Sequence, residues 1–266
     1  MDLMYSISGF AVGLLVGITG VGGGSLMTPL LVFLFNFQPS VAVGTDLLYA
    51  ALTKTGGVAV HHGKHHSVDW RVVGLLCTGS LPLAVVTLLT INYLTSLGKQ
   101  TTGAISWSLG LALILTASAL LVRAALLRGR TREVHHEDSM KQSARFDGWE
   151  VPTTVLVGAV LGVLVTLSSV GAGALGTVAL LFLYPRASTL KIVGTDLAHA
   201  IPLTAVAGLG HWWLGNVNFT LLGSLLIGSL PGIWFGSLLS AKIPEQWLRP
   251  FLAVILMIIG LKFVLS

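Results

Sequence analysis

The stretch Ile18-Thr-Gly-Val-Gly-Gly-Gly-Ser-Leu-Met-Thr28 returns 149 residues later as Leu167-Ser-Ser-Val-Gly-Ala-Gly-Ala-Leu-Gly-Thr177. In both copies a glycine-rich break interrupts apolar sequence. Glycine lets a chain turn, or approach a ligand closely, without a side-chain penalty. Each break is followed by a short apolar segment, 25–37 and 174–185. At 1.5 Å rise per residue such a segment reaches only about 20 Å, roughly two-thirds of a ~30 Å hydrocarbon core. Each break with its flanking segments therefore reads as a helical hairpin whose tip stops inside a membrane.

The repeat continues outward. Val43-Gly-Thr-Asp-Leu47 recurs identically as Val193-Gly-Thr-Asp-Leu197, His61 matches His211, and Gly79-Ser-Leu-Pro82 recurs as Gly228-Ser-Leu-Pro231. The chain reads as a duplication: an N-terminal membrane repeat 1–127, a charged linker 128–150 and a C-terminal repeat 151–266. Ten apolar segments are expected, near 3–19, 25–37, 41–60, 70–91, 104–127, 152–168, 174–185, 192–212, 219–241 and 247–265. Five segments per half is an odd number, so the halves must sit inverted in the bilayer. The expected fold is an all-α polytopic membrane protein of two inverted repeats, each with a broken hairpin ending in mid-membrane.

Composition agrees. Of 266 residues 54% are hydrophobic and 9% charged, against roughly 25% charged in soluble domains. Met1 to Ser8 holds one acid and no Lys or Arg, so it is read as mature protein, not a signal peptide. Cys77 is the single cysteine, which excludes an internal disulfide. The net charge of +5 follows topology. Counting segments puts twelve of the fifteen Lys and Arg on one side, Arg123 among them. Lys99 and Lys262 fall on the other side, and Lys54 lies within a segment. By the positive-inside rule the crowded side, with the linker, is cytoplasmic and both termini are outside. Trp70, Trp149, Trp212, Trp213 and Trp247 fall at expected boundaries, as interfacial anchors do. Nothing in this pattern calls for nucleic acid.

The tips are the first candidates for chemistry. The short segments begin just after their breaks, so free N–H groups and positive dipole ends point at the bilayer centre. Two such tips brought together form an anion site at midplane, as in transporters with broken helices. Its expected members are Gly22, Gly23, Gly24, Gly171, Ala172 and Gly173, with hydroxyls from Thr19, Ser25, Ser168 and Ser169. The competing reading is that the glycines only permit tight helix packing. Gly171-Ala-Gly-Ala-Leu-Gly176 also fits G-x-G-x-x-G, but a dinucleotide fingerprint needs a strand before it, and here both flanks are membrane-length apolar sequence.

Asp46 and Asp196 are repeat equivalents, and of ten acidic residues only these lie inside expected segments. A carboxyl group there costs at least ~2.5 kcal/mol, which marks it as a functional candidate. It could hold the opposing tip, carry a proton or bind a cation, and a plain helix N-cap competes with all three. Thr45 and Thr195 beside them are candidate donors. Lys54 could pair with a carboxylate or attract an anion, although its repeat partner is Thr204; His199, opposite Tyr49, is a further auxiliary candidate. The run His61-His62-Gly63-Lys64-His65-His66 reads as an exposed loop rather than a metal site. No cofactor, metal site or nucleophile–base pair is expected, and so no enzyme.

The break Gly20–Gly24 with Pro29, then Ala42-Val-Gly-Thr-Asp46 and Val68-Asp-Trp-Arg71, resembles the TauE/SafE family of membrane permeases (sulfite exporters). The resemblance implies transport of sulfite, sulfoacetate or other sulfur-containing organic anions across a bacterial inner membrane. Many members show Ser where this chain has Asp46. Export of a single negative charge down an inside-negative potential gains about 2.3 kcal/mol per 100 mV, so no coupled ion is required. Proton-coupled uptake, or a cation permease using Asp46 and Asp196, are the alternatives. The expected partners are a small anion, the lipid bilayer and a second copy in a homodimer.

Overall fold

The computed structural model describes residues 3–19, 24–65, 68–99, 101–130, 149–240 and 245–265. These residues form ten α-helices and no strand: α1 (Leu3–Thr19), α2 (Gly24–Phe35), α3 (Pro39–His65), α4 (Trp70–Ser96), α5 (Thr102–Arg130), α6 (Glu150–Ser168), α7 (Leu175–Leu183), α8 (Thr189–Trp213), α9 (Phe219–Ser240) and α10 (Glu245–Leu265). Each coincides with one expected segment. The main difference is that α3 runs on to His65, so His61–His65 extends a helix instead of forming a loop. His66 lies outside the described residues, as does most of the linker.

Among the described residues, five helices are long and apolar enough to cross a membrane: α4, α5 to Ala124, α6, α8 and α9 to Gly236. The chain is a multi-pass membrane protein. By contrast α2 has 12 residues and α7 only 9, about 18 and 14 Å of helix. Large apolar side chains such as Leu89, Ile227, Phe251 and Ile258 are exposed on the outside, the face a bilayer covers. Trp70, Trp149, Trp212 and Trp213 are exposed at helix ends.

Helices pair across the two halves: α1 with α9, α4 with α6, α3 with α8 and α5 with α10. These pairings map onto one another when the halves are exchanged. The small residues explain the close approach. Gly9 and Gly13 meet the backbone of Leu225 and Ser229, while Gly158 and Gly162 meet that of Leu76 and Ser80, the same relation at the repeat offset. Glycine at such points lets two membrane helices touch backbone to backbone.

Direction also follows from these contacts. Gly44 abuts His211 and Gly208 abuts Leu48, so α3 and α8 run antiparallel. Gly110 meets Phe263 and Val264 while Gly260 meets Ile114, so α5 and α10 do too. One core cluster takes Val43 and Leu47 from α3, Leu161 and Val165 from α6, and Leu203 and Ala207 from α8.

Candidate functional site

Asp46 is the eighth residue of α3 and Asp196 the eighth of α8. Neither can cap its helix. That role falls at α8 to Ser188, whose side chain accepts from the Lys191 amide. Both carboxylates are buried, at 0% and 1% exposure. Each is held by a threonine from the neighbouring short helix: Thr28 Oγ1 donates to Asp46 Oδ2, and Thr177 Oγ1 to Asp196 Oδ2 at 2.8 Å. The two threonines close the repeated stretch in each half. They were not singled out from sequence, although their equivalence was the available signal.

The other carboxylate oxygens differ in their surroundings. Neither Oδ1 has a hydrogen-bond partner among the described residues. Asp196 Oδ1 lies against Gly176 so closely that a Cβ there would collide with it. Met27 stands at the corresponding place in the first half. Asp46 instead has the buried Ser169 hydroxyl beside it, a second donor within reach of its carboxyl group.

Two cations balance the two acids. Lys54 is buried, and its Nζ donates to the Ala172 carbonyl at 2.8 Å, attracting both carboxylates through space. Arg123 is the second. Sequence placed it with the cytoplasmic charges; the structure buries it inside the span Thr102–Ala124, where it attracts Asp196. Lys54 is therefore not the sole basic residue of the membrane segments.

The second glycine tip has a distinctive backbone. Ser169 has φ +57°, Gly171 +113° and Gly173 +129°, while the residues between them keep negative φ. Alternating φ sign turns successive N–H groups toward one side, a concavity that suits an anion. The amides of Gly171, Ala172, Gly173 and Ala174 find no acceptor among the described residues. Below them α7 begins, with its positive dipole end at the same place. Ser168, by contrast, is engaged: its hydroxyl donates to the Leu164 carbonyl and accepts from the Val170 amide.

Other expected members are placed differently. Thr45 Oγ1 accepts from the Asn218 amide at 3.1 Å, and Thr195 Oγ1 from the Asp69 amide at 2.9 Å. Each threonine thus anchors the head of a helix from the opposite half. His199 Nε2 is hydrogen-bonded to Ser80 Oγ at 2.9 Å. His211 Nε2 meets the Thr166 carbonyl at the same distance. Gly22 and Gly23 lie outside the described residues. Thr19 ends α1, and Gly24 and Ser25 open α2; the side chains of Thr19 and Ser25 are also outside that description.

A family model described as Sulfite exporter TauE/SafE matches residues 5–263. The chain belongs to the TauE/SafE sulfite exporter family. It is 36% identical to the probable membrane transporter protein YjnA of Bacillus subtilis (strain 168), over 99% of this chain and all of that one. YdhB of the same organism, also named a probable membrane transporter protein, is 25% identical over 85% of this chain and 84% of its own. A probable membrane transporter protein of Methanocaldococcus jannaschii, MJ0441, is 27% identical over 86% and 81%. No solved structure matches. Family and relatives together support membrane transport as the role of this TauE/SafE member.

Proposed function

We propose that the chain transports small sulfur-containing oxyanions, sulfite or a small sulfonate, outward by alternating access around the hairpin tips. The carrying observation is the second tip. Four consecutive amides without acceptors among the described residues, Gly171 to Ala174, lie beside the Lys54 ammonium and the Ser169 hydroxyl. These are donors, and donors without acceptors in a dry site fit an anion. A metal or alkali cation there would face two buried cations, and Lys54 already occupies the Ala172 carbonyl.

The proposed cycle rests on inversion of the halves. Sequence-equivalent helices that pack antiparallel, α3 with α8 and α5 with α10, support a twofold axis in the membrane plane. Rocking about such an axis would expose one site to each side in turn. Proton-coupled uptake is the second reading, favoured by the complete burial of the Asp46 carboxyl group inside a membrane helix.

Sulfite flux in proteoliposomes tests the proposal. Wild type should carry sulfite in response to voltage, and Lys54→Met and Gly173→Leu should each cut the flux at least tenfold, a barrier change of about 1.4 kcal/mol or more. Undiminished flux in both variants would remove the tip from the mechanism. Voltage-driven flux independent of a pH gradient would remove the symport reading.

A further inference from the structure

We propose that His199 is an anion-binding residue of the second tip: its ring Nδ1–H donates to the bound oxyanion, and Ser80 fixes the ring in that tautomer. This rests on the anion site proposed above and adds to it a residue from α8.

The argument starts from the proton of Ser80. His199 is 1% exposed and Ser80 is fully buried, and Ser80 Oγ meets His199 Nε2 at 2.9 Å. A serine inside a helix ordinarily donates to a carbonyl one turn back, as Ser108 and Ser224 do. Ser80 makes no such bond among the described residues, so its proton goes to His199 Nε2. A neutral imidazole has one N–H, and an Nε2 that accepts leaves that proton on Nδ1. Nδ1 has no hydrogen-bond partner among the described residues. Buried donors are seldom left unpaired, and an anion at the tip would complete this one.

Helix geometry puts the ring at the tip. A short connection joins α7 to α8, and the two run antiparallel, with Thr177 bonded to Asp196 and Gly176 against the same carboxylate. His199 lies three residues beyond Asp196, on the same face of α8 and about 4.5 Å further along it. The same step back from Gly176 leads to Gly173. One turn beyond His199, Leu203 shares a core cluster with Ala172 and Leu175. Lys54, bonded to the Ala172 carbonyl, is within electrostatic reach of His199 as well as of Asp196. The first half does not duplicate this arrangement. Tyr49 and Ser229 hold the equivalent places, with the Ser229 hydroxyl beside the Tyr49 phenol. A phenol ends in one polar atom and an imidazole has two, so the spare donor belongs to the second tip.

The test measures sulfite and methanesulfonate binding to the purified full chain by calorimetry, beside the thermal midpoint without ligand. His199→Gln places its amide where Nε2 was, which keeps the Ser80 bond and removes the donor at Nδ1. It should melt close to wild type and bind both anions on the order of 10- to 100-fold more weakly. His199→Asn does the opposite: its amide nitrogen takes the place of Nδ1 and cannot reach Ser80. It should melt lower yet bind more tightly than His199→Gln. Ser80→Ala lets the ring proton move to Nε2 and should also weaken binding, although Ser80 does not touch the anion; it stands in if His199→Gln fails to fold. Equal affinity in wild type and His199→Gln overturns the role of His199 and leaves the anion site standing. Affinity losses that only follow losses of thermal stability across the three variants make His199 a strut between α4 and α8, and overturn the proposal too. Binding of neither anion to wild type overturns the anion site itself, and this inference with it.

Discussion

Asp69 joins the two halves at a single side chain. Its carboxylate accepts from the Arg71 and Val72 amides at the head of α4 and pairs with Lys191 of α8 at 2.9 Å. Burial pushes this carboxyl up, but the hydrogen bond and charge of Lys191 and the two amides outweigh it and hold it below its ordinary value. A depressed folded value means stability that is present above the unfolded value of about 4 and lost as pH falls through the folded one. The pair is 30% and 48% exposed, so solvent screening limits it to about 0.5 kcal/mol. Asp69→Asn keeps a capping side chain and removes the charge. Its melting temperature should lie slightly below wild type at pH 7, and the gap should close below pH ~4. Thermal unfolding in detergent from pH 7 to 3 measures this; a gap constant across the range would mean that the charge contributes nothing.

At the scale of elements, the glycine seams between helices set how closely the halves approach. A Cβ at Gly162 would collide with the Ser80 carbonyl of α4, whereas one at Gly74, on α4 itself, would meet nothing within 4 Å. Gly162→Leu should therefore separate α4 from α6 and lower the thermal midpoint strongly, a loss of about 1–3 kcal/mol or more. Gly74→Leu should leave it unchanged or raise it, and the two melts side by side check the contrast. The sequence showed ten helices within a few residues of their ends, because apolar runs and glycine breaks are local signals. It could not show that α1 packs on α9, since a repeat says which residues are equivalent and not which helix they face. The site divides the same way. Asp46, Asp196, Lys54 and Ser169 were legible as polar residues in apolar surroundings. Thr28 and Thr177 were not, because a hydroxyl costs little in a helix and acquires meaning only from the carboxylate opposite. Thr45 and Thr195 looked like ligand donors for their position beside the acids, yet their oxygens anchor the amides of Asn218 and Asp69.

At the scale of the whole molecule, charge and packing make independent statements about orientation. The Lys and Arg count expects the α4–α5 turn outside and the α7–α8 turn in the cytoplasm. Antiparallel packing of α3 on α8 requires these sequence-equivalent helices to run in opposite directions, which is the consequence of inverting one half. If α3 enters from outside, α8 must leave from the cytoplasm, and every other helix follows from the short connections. Two single cysteines decide it, placed in a Cys77→Ala background so that the one native thiol is silent. Lys99 and Arg186 are both exposed and sit in the two turns concerned. Lys99→Cys should react with a membrane-impermeant maleimide in intact cells, and Arg186→Cys only after the membrane is permeabilised. Labelling of both from the same side would break the inversion, and with it the proposed rocking about a twofold axis.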